Sequence, residues 1–390
     1  MLFKFAIIRT ENFMTSKNFR FTRKTRVIAM LVVPVTVLFI GALLATQFMH
    51  GAARAATSNV KQPSAQVRNY TFYIRDNWMK MPDGQRIYVI GYTDKPQGAA
   101  QVPGPAIVVD QGDTVNVTVI NDKASLSNNF PNAAGNLTTA PLQTVDGLQL
   151  PSELDKEIGA GPIAKSGQNW QKVSYHFVAQ QPGSYLYHDA TPMHAQMGLY
   201  GALTIKPKGI LSRAYPGAPP YNKEYTFVLS DMDSDAHKST YDNLTKGSAA
   251  VDWTKYHPNY FFINSKVWPD TMMDSNDSLN VTVGQTVLVR LINAGSEVHM
   301  MHTHGHHFQV IGANGQKLAH PYYKDTLMLA PGETADISLF LNKPGRYMFH
   351  DHIEANTTNN GVYPGGMMTM ININLPNGQN PVAMPDMGNK

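Results

Sequence analysis

The chain has 390 residues, enough for two domains of ordinary size, and no cysteine, so disulfides, thiolate metal sites and a catalytic thiol are excluded. Charged residues make up only 15% against 30 Gly and 25 Pro, the balance of an all-β chain with many turns. The net charge of +4 resides in the N-terminus: residues 1–55 hold eight Lys/Arg and one Glu, leaving −3 for the rest and no basic face for nucleic acid.

The first segment reads as a targeting signal. Arg23-Lys24-Thr25-Arg26 precedes an uncharged run from Val27 to Phe48, followed by Gly51-Ala52-Ala53-Arg54-Ala55-Ala56. A basic region, an apolar core and an Ala-Arg-Ala site describe export. The apolar run approaches bilayer-spanning length, so residues 1–56 are expected to be a cleaved signal peptide or a retained N-terminal membrane anchor. The mature chain is expected outside the cytoplasm, secreted, periplasmic or tethered.

Strand patterning begins at Tyr70-Thr71-Phe72-Tyr73-Ile74 and continues through Arg86 to Tyr92. Two β-branched runs, Ile107 to Asp110 and Thr114 to Ile120, are separated by the turn signal Gly112-Asp113. Residues from Ser125 to Lys165 are polar and read as a long connection. Strands resume at Lys172 and at Pro182-Gly183-Ser184-Tyr185-Leu186-Tyr187-His188-Asp189, and Gly198 to Ile205 closes the unit.

The same signals then return. Leu279 to Asn293 matches Ile107 to Asn121 in pattern, and Pro344 to Asp351 matches Pro182 to Asp189 almost residue for residue. Such a duplication implies two Greek-key β-sandwiches. The expected boundaries are 66–208 for the first, 209–224 for a Pro/Gly-rich linker, 225–376 for the second and 377–390 for a flexible tail.

Chemistry concentrates in the second copy. His299, His302, His304, His306 and His307 are answered by His350 and His352, seven of the fourteen histidines in two short runs. Alternation along a strand puts His302 and His304 on one face, and His350 and His352 likewise. Two such pairs on adjacent strands bring four imidazoles within reach of a shared metal, a donor set suited to copper, zinc or nickel.

These residues carry a resemblance. His299, His302, His304, Gly305 and His306 resemble the His-x-x-His-x-His-Gly-His pattern of the multicopper oxidases, in particular the two-domain, small-laccase-like members built from cupredoxin folds. The chain is also similar in size to the copper nitrite reductases. Asp325-Thr326 with Ala330-Pro331-Gly332-Glu333, and His350-Asp351-His352 with Gly366-Met367-Met368, resemble further family stretches.

The resemblance implies an all-β fold of two cupredoxin-like sandwiches and copper as cofactor. It implies that His302, His304, His350 and His352 are ligands of a type 2/type 3 copper cluster and that His299 belongs to a type 1 site. It further implies a homotrimer in which His188 of a neighbouring chain completes the cluster, with His194 as a second first-domain candidate. Asp146, in a Val-Asp context similar to the proton-donating Asp of copper nitrite reductases, is a candidate catalytic residue; an Asp-Gly turn explains it equally.

The departures from the family are as informative. Asp351 and Asp189 stand where the type 1 cysteine is expected, and Asn356 falls on or near the next type 1 histidine. An aspartate cannot supply the soft thiolate that a blue copper site requires. An aspartate next in sequence to a histidine points to the opposite strand face, so Asp189 and Asp351 could serve a different site with His194 or His299.

Three functions follow as alternatives. One is an oxidoreductase whose histidine cluster takes electrons directly from a small-molecule reductant or an electron-donor protein and passes them to dioxygen or a nitrogen oxide or other small oxyanion. The others are a non-catalytic extracytoplasmic copper-binding or buffering protein, and a scaffold with a structural metal such as zinc.

Overall fold

The strands fall into two sets that repeat one another pairing by pairing. The computed structural model describes residues 64–121, 137–140, 155–157 and 171–382. Asp146 and the expected targeting segment lie outside the described residues.

The first set comprises β1 (Val67–Lys80), β2 (Arg86–Thr93), β3 (Gly104–Asp110), β4 (Thr114–Asn121), β5 (Leu137–Ala140), β6 (Asp155–Glu157), β7 (Gln171–Val178), β8 (Gly183–Asp189) and β9 (Tyr200–Lys206). One sheet runs β2-β1-β4-β7-β6 and the other β3-β9-β8-β5. Short helix α1 (Pro192–Gln196) lies between β8 and β9.

The second set comprises β10 (Lys223–Met232), β11 (Tyr260–Ile263), β12 (Leu279–Thr282), β13 (Gln285–Asn293), β14 (His299–Thr303), β15 (Phe308–Ala313), β16 (Gln316–Lys324), β17 (Thr326–Leu329), β18 (Thr334–Leu341), β19 (Gly345–Asp351) and β20 (Met368–Asn374). Its sheets run β11-β10-β13-β18-β15-β16 and β12-β20-β19-β14-β17. Parallel β1/β4 is matched by β10/β13, parallel β3/β9 by β12/β20, and antiparallel β8/β9 by β19/β20.

Each set is a sandwich closed on an apolar core drawn from both of its sheets. Val115, Val117 and Val119 of β4 meet Tyr185 and Tyr187 of β8 and Leu203 and Ile205 of β9. Val287, Val289 and Leu291 of β13 meet Met301, Phe349, Ile371 and Ile373. The alternating burial of β4 reflects a strand with one face inward and one half-solvated.

The turn signal at Gly112-Asp113 is a turn in the structure, closed by the Asp113 amide donating to the Asp110 carbonyl at 3.0 Å. β3 and β4 belong to different sheets, so the chain turns a corner across the sandwich. Gly112 adopts φ +92°, which favours glycine, and Gly284 repeats the corner at +89° between β12 and β13. The Asp113 carboxylate fixes the first corner by accepting from Gln66 N, Arg68 Nε and Asp110 N.

The two sandwiches pack directly. Leu186, Tyr200 and Ala202 meet Val228, Ile292 and Ala294. Between them lies fully buried Arg290, whose guanidinium donates to Glu224 Oε1 at 2.6 Å, Ser184 Oγ at 3.1 Å and Asp336 Oδ2 at 3.3 Å. The strand-period reading leaves helix α2 (Ser234–Lys246) unassigned. Asp233 caps it by accepting from Asp235 N and Ala236 N, and Gly247 ends it in the left-handed conformation. Its Tyr241 ring packs on Trp78 and Tyr88 of the first sandwich. Among the described residues no helix is long and apolar enough to cross a membrane.

Candidate metal centre

β14 lies between β17 and β19 and sets the site. Its inward residues His299, Met301 and Thr303 are buried, while Met300 and His302 face outward and are half-buried. The ladder pairs His302 with His350 of β19 on one side and with Thr326 of β17 on the other. His304 follows the end of β14, held by its amide donating to the Met348 carbonyl at 3.0 Å. His352 follows the end of β19, its amide donating to the Met300 carbonyl at 2.7 Å.

Four imidazoles meet on this outer face. The His302 ring lies 4.9 Å from His304, 5.6 Å from His350 and 4.9 Å from His352, centroid to centroid. His304 Nε2 and His350 Nε2 are 3.0 Å apart. Ring nitrogens of His302, His304 and His350 all lie within 4.8 Å of one another.

Backbone contacts choose the tautomers. His302 Nδ1 lies 2.9 Å from the Asp325 carbonyl oxygen and 2.9 Å from Thr326 Oγ1. His350 Nδ1 lies 2.8 Å from the Asp351 carbonyl oxygen. A carbonyl only accepts, so Nδ1–H donates in both rings and each Nε2 keeps its lone pair for a ligand. Burial first, then the neighbouring imidazoles, hold His304 below the ordinary histidine value. The same causes hold His350 down, against the bond to the Asp351 carbonyl. Both shifts favour the neutral, metal-ligating form.

The opposite face of β14 carries a different constellation. His299 Nδ1 donates to Asp351 Oδ2 at 2.8 Å, and its Nε2 lies 3.3 Å from Asp231 Oδ2. All three side chains are buried. Asp351 also accepts from the amides of Met300 and Ile353 and from Asn356 Nδ2. Asp231 accepts from Ser296 N, Ser296 Oγ and Glu297 N. Burial alone would depress His299, but the bonds to Asp231 and Asp351 outweigh it and raise its pKa to about 9. His299 therefore sits between two carboxylates, its Nδ1 bonded to Asp351 and its Nε2 facing Asp231.

The first sandwich repeats this partnership. Asp189 Oδ1 accepts from Thr191 N and lies 3.2 Å from His194 Nδ1, both side chains being buried. His188 points the other way, its Nδ1 donating to the Asp189 carbonyl at 2.7 Å as His350 does to Asp351. His188 and His194 are not members of the group formed by His302, His304 and His350 in this chain. His306 stands apart, its ring edge-on to Tyr347 at 4.8 Å.

Sequence reasoning missed Asp231. The signal was present: a single acid in the apolar run Phe227 to Met232 at the end of β10, where a buried carboxylate needs a partner.

Two cupredoxin-like β-sandwiches bearing an outward histidine cluster define the class of fold. Family models described as multicopper oxidase match residues 97–209 and 230–370, and the chain belongs to that family. It is 27% identical over 303 residues to the copper-containing nitrite reductase of Neisseria meningitidis serogroup A / serotype 4A, covering 74% of this chain and 68% of that protein. It is 31% identical over 254 residues to laccase-7 of Oryza sativa subsp. japonica, covering 62% of this chain and 40% of that one. The crystal structure of the blue copper oxidase from Nitrosomonas europaea superposes with a TM-score of 0.60 at 27% identity, covering 79% of this chain and 86% of that one.

Proposed function

We propose that the chain is a copper-dependent oxidoreductase in which His302, His304, His350 and His352 hold the metal. The observation that carries this is the convergence of His302, His304 and His350 on one open face, with the His352 ring beside them and the tautomers of His302 and His350 set so that Nε2 is available. The donor set fits copper: neutral nitrogen ligands without thiolate, held by bonds from their other ring nitrogens. Copper bound there would supply one-electron redox chemistry and a cationic centre for dioxygen or a small oxyanion.

This chain's own residues have three tasks. Asp325 and Thr326 orient His302, and the Asp351 carbonyl orients His350. His304 and His352 are exposed and leave the face open to a reductant, either a small molecule or an electron-donor protein. Asp146 or Glu354 supplies protons. In a homotrimer, His188 of a neighbouring chain completes the ligand set, and the whole acts after export.

The buried Asp231–His299–Asp351 group favours a second reading, a non-catalytic copper-buffering protein. Without a type 1 site the usual relay of electrons to the cluster is missing, and binding alone would then be the function.

Copper content, EPR and turnover separate the two. The metal-loaded chain should hold one or more coppers with a type 2 signal and no intense blue band. It should consume dioxygen or nitrite faster than free copper does, and His302→Ala/His350→Ala should lose both metal and turnover. Turnover at the free-copper rate with metal retained selects the buffering reading. Full activity in the double variant sinks the assignment of these ligands.

A further inference from the structure

The outer face that carries the histidines continues beyond them. Met300 stands one two-residue step from His302 along β14, on the same face. It is paired directly across the ladder with Met328 of β17. On its other side His352 donates its amide to the Met300 carbonyl. Met328, Met300 and His352 thus form one row across three neighbouring segments, next to the row Thr326, His302 and His350. Directly opposed side chains have Cβ atoms about 4.5–5.5 Å apart, close enough for two flexible thioethers to reach one ion.

Core filling does not explain this pair. The inward residues of the same two strands, Met301, Leu327 and Leu329, already supply the core. Met328 is 59% exposed instead, on a strand at the sheet edge where polar side chains are the usual protection.

We propose that Met300, Met328 and His352 form a capture site for a soft monovalent metal ion, cuprous copper above all, which passes it to the four-histidine cluster. Thioethers select Cu(I) over harder cations, whereas the imidazole cluster accepts either copper valence. His352 belongs to both sites, since its ring lies 4.9 Å from that of His302. Transfer is then ligand exchange along one face, thioether for imidazole, and no electron moves. The proposal rests on the reading of the histidines as a copper centre.

The test uses the full chain with its methionine ε-methyl groups labelled for NMR and silver(I) as a redox-silent probe. The signals lost in Met300→Leu and Met328→Leu identify the two residues; leucine keeps the volume and removes the sulfur. Silver(I) should shift those two methyls in the unaltered chain and in His302→Ala/His350→Ala alike. Met300→Leu/Met328→Leu should bind Cu(I) about tenfold more weakly in competition with a chelator while keeping its Cu(II) content. Two unmoved methyls, or unchanged Cu(I) affinity in the leucine pair, overturn the capture site. Shifted methyls in a chain that binds no Cu(II) at its imidazoles keep the capture site and remove the copper-centre reading instead.

Discussion

His299 Nδ1 donates to Asp351 Oδ2 at 2.8 Å on the inner face of β14 and β19, the face opposite the outward pair His302 and His350. Three residues along β14 and one along β19 separate a buried acid–histidine group from an open imidazole cluster. The pleat alone keeps the two chemistries apart. The relation recurs as His194 with Asp189, so both copies carry an acid–histidine partnership on the face opposite the outward His188 or His350.

The first prediction concerns the clamp. Replacing His299 by Ala leaves Asp231 and Asp351 buried without their shared cation. Breaking a buried pair by removing one partner costs about 3–5 kcal/mol. Urea unfolding of the metal-free chain should show a loss of that size for His299→Ala. His302→Ala/His350→Ala, on the open face, should stay close to the unaltered chain. Equal losses in the two variants would mean that the clamp adds nothing of its own.

A second prediction follows from two buried histidines shifted in opposite directions. His237 of α2 is fully buried and donates Nδ1–H to the Tyr88 carbonyl at 2.6 Å. Burial pushes its pKa down to about 4. The unfolded chain takes up this proton first, so stability falls as pH drops from about 6.5 toward 4. His299, raised to about 9, behaves inversely: its contribution is complete below about 6.5 and is lost as pH rises through 9. Each shift corresponds to ~3 kcal/mol at its limit. A plot of unfolding free energy against pH should therefore lose its acid slope in His237→Gln and its alkaline slope in His299→Gln. Slopes that survive both changes would assign the pH dependence to other groups.

The fold was legible because its signals are local and stated twice. Alternation marks each strand, and the match of Pro182–Asp189 to Pro344–Asp351 sets the repeat. The meeting of His302 with His350 needs only two strands to pair. The clamp was not legible, because Asp231 reaches His299 from β10, in the other sheet of the sandwich. Nothing in the run around His299 names that partner. The corner at Gly112 is similar: a turn signal fixes the local backbone but not the sheet that the next strand joins. Helix α2 carries its marks in Asp233 and Gly247, a cap and a stop that alternation along strands does not report.

Arg290 supports a third prediction. Its guanidinium neutralises Asp336 and Glu224 at the junction of the sandwiches, and Ser184 of β8 bonds both Arg290 and Asp336. Arg290→Met should cost about 3–5 kcal/mol, because it strands Asp336 in a buried site. Adding Asp336→Asn should recover part of that loss, since the two residues act as one network. A double variant whose loss equals the sum of the single losses would show that they do not.

The last prediction tests how the loop after β14 aims His304. Gly305 adopts φ +71°, and a Cβ added there would lie 2.5 Å from the Tyr347 ring. Tyr347 is in turn held edge-on by His306. Gly305→Ala therefore meets both a disfavoured backbone region and a ring that cannot retreat without disturbing its neighbour. The turn must open, and His304 is the adjacent residue. Its Nε2 then leaves the 3.0 Å approach to His350 Nε2. The expected stability loss is about 1–3 kcal/mol, the cost of one strained backbone position. Copper affinity should fall about tenfold, because one of four imidazoles is misaimed. Tyr347→Ala introduced beside Gly305→Ala removes the steric conflict and should restore part of the affinity without restoring stability. Affinity that stays low in the paired variant would place the defect in the backbone conformation of residue 305 and not in its contact with the ring.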